Sequence, residues 1–265
     1  MFKRDFDFID DNELSKLSVL ITADSFFYSV FGSKNTLLCH YSYTDLMFSD
    51  HESIAGILAD ANLKRKYQSI IVLAVDGDAF QLPEEDHQLA AVYPGFEYKV
   101  KKIEKIAGNN TFNYFGVTPA QQSMLDGLFG NDGYKLNHVS TLLGSYFVGD
   151  SANVVYVHIE EKKIFIYVQK HGNMVFFNAF PINALLDVLY FVLSVCKFSD
   201  IDPTEDKICL GGWIEKESAI YKLLAGYIRR LEFIQIFNQS FNKNCNEELK
   251  SHFYFLHFAN NECAL

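Results

Sequence analysis

The chain has 265 residues, of which 49% are hydrophobic and 21% charged, with 15 Gly and only 5 Pro. That is the composition of a globular protein with material for one large domain or two medium lobes. A formal net charge of −10 repels a phosphate backbone, so no nucleic-acid partner is expected.

Two local basic runs, "LKRKYQ" (Leu63 to Gln68) and "KVKKIEK" (Lys99 to Lys105), read as solvated helix and strand faces. Five cysteines, Cys39, Cys196, Cys209, Cys245 and Cys263, form no CxxC pair. Three sit inside apolar runs, the pattern of buried reduced thiols. The first residues, "MFKRDFDFIDDNE", contain no apolar signal region. The longest apolar segment, "ALLDVLYFVLSVCKF", is interrupted by Asp187 and too short to span a bilayer. The expectation is a cytoplasmic protein with no membrane span.

In chain order, "LSVLITADSFFYSVFGSKNTLLCHYSY" reads as three short strands, with "DS" and "GSKN" as turns. A helical pattern follows, "DHESIAGILADANLKRK", then "SIIVLAV", a strand apolar enough to be buried on both faces. "NNTFNYFGV" is a further strand, and "TPAQQSMLDGLFG" a helix with Thr118 as N-cap and Pro119 in its first position. From Asn153 the order repeats. "NVVYVHIEEKKIFIYVQKHGNMVFFNAF" gives three strands, "INALLDVLYFVLSVCKF" a helix and "DKICLGG" a strand. The strand at Ile208 thus corresponds to the strand at Ile70. "KESAIYKLLAGYIRRLEFIQIF" adds a helix and a strand.

Three meandering strands, a helix and a buried strand begin a ribonuclease H-like lobe. Two such lobes in tandem, mixed sheets flanked by helices, make an α/β protein with actin-like ATPase architecture. The division expected is residues 1–150 for the first lobe and 151–265 for the second, with the boundary near "VGDSAN" (Val148 to Asn153).

The segments "ITADSFFYSVF", "FFNAF" with "LLDVLYFVL", "ICLGGWI" and "SHFYFLHFANNEC" carry an end-to-end resemblance. The chain resembles an uncharacterised Bacteroides-type protein family with an actin-like ATPase fold. None of these segments is a catalytic signature, so the resemblance implies the fold and no activity. It also implies where a nucleotide would sit. Actin-like enzymes hold ATP with a first hairpin in each lobe, bearing an Asp and glycines, and with a glycine-rich turn against adenosine.

Here the first hairpin reads "TADSFFYS", with Asp24 in place of the acid and Phe26 where a glycine is expected. The second, "HIEEKKIF", has no glycine, and Glu160 and Glu161 repel phosphate. Lys162 and Lys163, on the hairpin tip, are expected to face water. Only "LGGWIEKES" keeps its pair, Gly211 and Gly212. Asp24, Gly211 and Gly212 are therefore the candidate residues of a degenerate nucleotide cleft. Phe26 is expected to narrow the phosphate path, and Trp213 to pack by the glycine turn with its ring mostly buried.

The expected function is a non-catalytic binding scaffold with an unidentified protein partner and no cofactor. Pilus-assembly and secretion members of the superfamily serve as such docking scaffolds. The first alternative is an ATP-binding or ATP-hydrolysing enzyme using ATP with magnesium. The second is a metal-dependent ribonuclease H-like nuclease with Asp24 and Asp76 ("AVDGDAF") as a metal-binding pair at neighbouring strand ends. Eight scattered histidines form no HExxH motif, and no GxSxG, Walker-type or GxGxxG pattern occurs.

Overall fold

The computed structural model describes residues 2–7, 16–32, 35–75, 79–82, 100–106, 111–148, 152–236, 240–241 and 250–262. The chain divides into two compact units. The first comprises Met1–Leu142, Asn238–Leu249 and His257–Leu265; the second comprises Leu143–Phe237 and Lys250–Leu256. The chain thus changes unit at Leu142–Leu143, and its C-terminal segments alternate between the two.

In the first unit, strands β1 (Phe2–Asp7), β2 (Lys16–Ile21), β3 (Phe26–Phe31), β4 (Thr36–Tyr43), β5 (Ser69–Ala74) and β9 (Lys135–His138) make one sheet, in the order β1-β4-β3-β2-β5-β9. The meander β2-β3-β4 is antiparallel, and β5 and β9 join β2 in parallel. A short strand β15 (Ser240–Phe241) pairs with β4. Strands β6 (Ala79–Leu82), β8 (Phe112–Val117) and β7 (Val100–Lys105) form a separate three-stranded sheet.

Parallel pairing of β2 and β5 requires a crossover. Helix α1 (His51–Ala59) supplies it, started by Asp50, whose carboxylate accepts from the amides of Glu52 and Ser53. Its buried Ile54 and Ile57 join Val19, Ile21, Phe26, Tyr28 and Val72 in the core. Asp60, just past the helix, ties it to the sheet. Tyr28 and Tyr43 both donate to its Oδ2, at 2.6 and 2.8 Å, and the Asn62 amide donates to Oδ1 at 2.9 Å. Burial, then the Asp60 carboxylate, holds both phenols protonated well above the usual tyrosine range.

Helix α2 (Pro119–Phe129) starts with the expected cap, a reciprocal box between Thr118 and Gln121. Helix α3 (Val139–Tyr146) begins beside Glu104 of β7, whose Oε2 accepts the His138 amide at 3.0 Å. Burial raises the Glu104 carboxyl to about 7, against the lowering hydrogen bonds from Thr141 and His138 and the charge of Lys135.

A carboxyl that ionises at higher pH in the folded chain than in the unfolded chain binds more protons when folded. Stability therefore falls as pH rises from 4.5 to about 7. Glu104→Gln is expected to raise stability by roughly 2–3 kcal/mol at pH 8 and by little at pH 4. Urea denaturation at the two pH values checks this; an equal effect at both would show that the carboxyl does not titrate in that window.

The second unit repeats the plan. Strands β10 (Val154–Ile159), β11 (Lys163–Lys170), β12 (Asn173–Pro181), β13 (Lys207–Gly212) and β14 (Arg230–Phe233) form a sheet ordered β12-β11-β10-β13-β14. This matches β4-β3-β2-β5-β9 strand for strand, with β10-β11-β12 antiparallel and β13 and β14 parallel. Helix α4 (Leu185–Phe198) makes the crossover, and α5 (Ala219–Ala225) precedes β14. Val155, Val157 and Ile159 pack with Val188, Val192 and Val195 of α4 in one core.

Alternation sends Tyr156 and His158 to the opposite face. There a single 3-10 turn (Ser251–Tyr254) runs into helix α6 (Phe255–Glu262). Phe255 lies 4.9 Å from the ring of Tyr156. From His257 onward α6 belongs to the first unit. The His257 Nδ1 lies 3.1 Å from the Ser18 hydroxyl, and Asn260 donates to Ser18 and to the Ile71 carbonyl at 2.9 and 3.1 Å.

Candidate functional site

In the first unit, Asp24 sits half-buried in the β2–β3 turn. Its Oδ1 accepts from the hydroxyls of Thr22 and Ser25, at 3.3 and 3.0 Å. The Thr22 amide closes the turn onto the Ser25 carbonyl at 2.9 Å. Gln121, half of the α2 capping box, sends its side-chain amide to the Thr22 carbonyl at 2.8 Å. The turn is tight and internally bonded.

Phe26 corrects one expectation. It is fully buried, edge-on to Tyr28 and Tyr43 in the core, and does not narrow any path beside the turn. The β2–β3 register turns Phe26 inward and leaves Phe27 partly exposed on the opposite face. Asp76, the other half of the possible metal pair, lies outside the described residues. Among the described residues, no group of three or more His, Cys, Asp and Glu is placed to hold a metal ion.

In the second unit, Gly211 and Gly212 end β13 beside His158 and Ile159 of β10. Each has its own cause. A Cβ on Gly211 would lie 2.2 Å from the Tyr156 hydroxyl. Gly212 has φ +81°, and a Cβ there would lie 2.2 Å from the Ile159 carbonyl oxygen. That carbonyl also accepts the Trp213 amide at 2.8 Å. Close approach and a left-handed turn, the two standard uses of glycine, are both met by the chain itself.

The Tyr156 hydroxyl that fills the space over Gly211 belongs to a row. Tyr156, His158 and Glu160, two residues apart, share one face of β10 and its turn. Tyr156 Oη lies 2.7 Å from His158 Nδ1, and His158 Nε2 lies 2.8 Å from Glu160 Oε1. Burial, then the Glu160 charge, keeps the phenol protonated. Tyr156 therefore donates to Nδ1, and Nε2–H donates to Glu160. His158 stacks on Phe165 at 4.5 Å. The row has the order of a proton relay. Its inner end is sealed, however, because Tyr156 is fully buried between Gly211 and Phe255. What it does is fix Glu160 in the second hairpin, where the Glu160 amide also bonds the Lys163 carbonyl at 2.9 Å.

Lys162 is exposed, as expected, and Lys163 half-buried. Trp213 corrects the other expectation: it is 39% exposed, laid against Phe253 at 4.9 Å and Tyr254 at 6.0 Å. Next to it, His252 Nε2 donates to the Ile214 carbonyl at 2.8 Å, with burial holding its imidazole below the usual histidine range. Sequence reasoning left His158 and His252 among the scattered histidines and did not single out Tyr156. The Y-x-H-x-E alternation was the available signal for Tyr156 and His158.

A cleft of about 650 Å³ opens at the amino ends of the same strands, lined by Phe147, Asn153, Lys207, Cys209, Arg230 and Glu232 among others. It reaches Cys209, two residues before Gly211, and carries opposed charges, Lys207 and Glu232 lying 3.7 Å apart.

Comparison with solved structures shows the fold. A Bacteroides thetaiotaomicron protein with actin-like ATPase fold and unknown function matches at TM-score 0.70 and 17% identity, over 86% of this chain and 94% of that one. A chain of the PilM–PilN type IV pilus biogenesis complex matches at TM-score 0.62 and 12% identity, over 94% and 96%. The ethanolamine utilization protein EutJ from Carboxydothermus hydrogenoformans matches at TM-score 0.50 and 8% identity, over 92% and 88%. No curated protein matches the chain. Among the described residues, no helix is long and apolar enough to cross a membrane. The model of a family described as protein of unknown function, DUF3822, matches residues 5–231.

Proposed function

We propose that this chain, which belongs to the DUF3822 family, is a binding scaffold of actin-like fold that holds a protein partner and turns over no nucleotide. The observation that carries the reading is the filling of the turn that would face adenosine. The Tyr156 hydroxyl occupies the space over Gly211, and Gly212 is spent on the approach of the Ile159 carbonyl. The hairpin turns add to it. Asp24 is bonded to its own turn and Glu160 to His158, so each hairpin sets a carboxylate engaged within the chain where phosphates need amide or cationic donors. That one neighbour of the same fold was solved as a pilus-assembly complex lends the scaffold role a precedent.

Calorimetry with Mg-ATP on the full chain tests the catalytic half. No heat is expected up to about 1 mM nucleotide; micromolar affinity overturns the reading. Loss of that affinity in Asp24→Asn would then assign the turn to the metal and its phosphates, as the ATPase alternative requires. In-cell crosslinking tests the scaffold half: a stoichiometric protein partner is expected, and its absence counts against the role.

A further inference from the structure

We infer that the outer face of helix α4 is the contact between two copies of this chain, joined about a two-fold axis at the level of Val192. Val188, Leu189, Val192, Val195 and Cys196 face the core. At 3.6 residues per turn, Leu186, Asp187, Tyr190, Ser194, Lys197 and Phe198 fall within about 120° on the opposite side. That side is not a solvated face. Leu186 is 65% exposed, Tyr190 66% and Phe198 77%.

The aromatic rings are braced from below. Phe198 lies edge-on to Phe176 of β12 at 5.9 Å. Tyr190 lies against Phe191, which stacks on Phe180 at 4.4 Å. Rigid, exposed apolar side chains grouped on one element mark a contact surface.

The order of residues along the helix says what covers it. Two identical antiparallel helices related by a two-fold axis pair residues equally distant from the axis. With the axis level with Val192, Asp187 meets the partner's Lys197 and Tyr190 the partner's Ser194 along the seam, while Leu186 and Phe198, at opposite edges of the face, flank it. The inner positions are their own complements, acid on base and large on small, with an apolar side chain at each edge. Asp187 is held in place, because its Oδ2 accepts the amides of Asn183 and Ala184 at 2.8 and 2.9 Å. The antiparallel arrangement also opposes the two helix dipoles. One acid and one base per copy leave the seam neutral, so the chain's net charge of −10 is not concentrated there. An unrelated partner gives no reason for the face to be its own complement.

A single helix pair is at the low end of interface sizes, so the dimer is expected to be weak. Sedimentation equilibrium on the full chain should give two-chain mass at about 200 µM and one-chain mass near about 2 µM. Ser194→Arg removes the space for Tyr190, and Lys197→Glu sets two acids opposite each other. Each should weaken association at least tenfold. Both positions are exposed, so each variant should melt within a few degrees of the parent. One-chain mass at about 200 µM overturns the inference and leaves the face to a different protein. So does a dimer that neither substitution weakens. Neither result depends on whether nucleotide binds.

Discussion

Gly212→Ala is expected to destabilise the second unit by roughly 3–5 kcal/mol, lowering its melting midpoint by roughly 12 °C or more. A left-handed backbone costs a non-glycine residue about 1–2 kcal/mol. The larger part comes from the new Cβ, 2.2 Å from the Ile159 carbonyl oxygen and 2.9 Å from the Ile159 nitrogen. Those are backbone atoms of the central strand, which cannot move without disturbing its pairing with β13. Gly211→Ala meets a side chain instead, the Tyr156 ring and hydroxyl, and should cost roughly 2–4 kcal/mol. Tyr156→Phe removes the nearest atom. In the double variant Gly211→Ala/Tyr156→Phe, part of the loss should return, a coupling of roughly 1 kcal/mol. Thermal melts of the four chains check it. Gly212→Ala melting with the parent would mean the turn is not held as described.

Asp60→Leu is expected to cost roughly 3–4 kcal/mol, read as a shift in the urea midpoint of the first unit. The apolar side chain strands two phenols, the fully buried Tyr28 and the buried Tyr43, which now donate to one carboxylate oxygen. Leaving a buried donor without an acceptor costs more than the bond contributes when made. That asymmetry supplies the control. Tyr43→Phe on the Asp60→Leu background should recover about 1 kcal/mol, whereas Tyr43→Phe alone should lose stability. Equal effects on both backgrounds would separate Tyr43 from Asp60.

The architecture was legible because period-2 runs such as "NVVYVHI" and "KKIFIYV" and the helix "ALLDVLYFVL" are unambiguous. Their order occurs twice, and a helix between the meander and the next strand calls for a parallel crossover. What lay beyond reach was phase. Phe26 follows a turn, and shifting a strand by one residue exchanges its faces. The sequence cannot tell whether Phe26 or Phe27 faces the core. The glycines announced a close approach but not the group that makes it, since Tyr156 lies more than fifty positions away in the chain. Trp213 stands 39% exposed because what it leans on, Phe253 and Tyr254, comes from a segment whose path no local pattern fixes. The Tyr156–His158–Glu160 row was written in plain alternation. It was passed over because a histidine in a strand is usually only packing.

The return of helix α6 to the strands laid down first has a consequence for how the protein is made. Ser18 leaves the ribosome 239 residues before His257 and 242 before Asn260, yet these are its hydroxyl partners. Lys16 waits equally long for the Asn261 carbonyl, 2.9 Å from its ammonium. The first unit therefore cannot finish as an independent product while the second is being translated. Its buried Ser18 and the edge-on contact of Phe31 with Phe258 stay incomplete until residues 250–262 have been synthesised. A nascent chain stalled before that point should remain open to chaperones and proteases, however much of its first sheet has already paired.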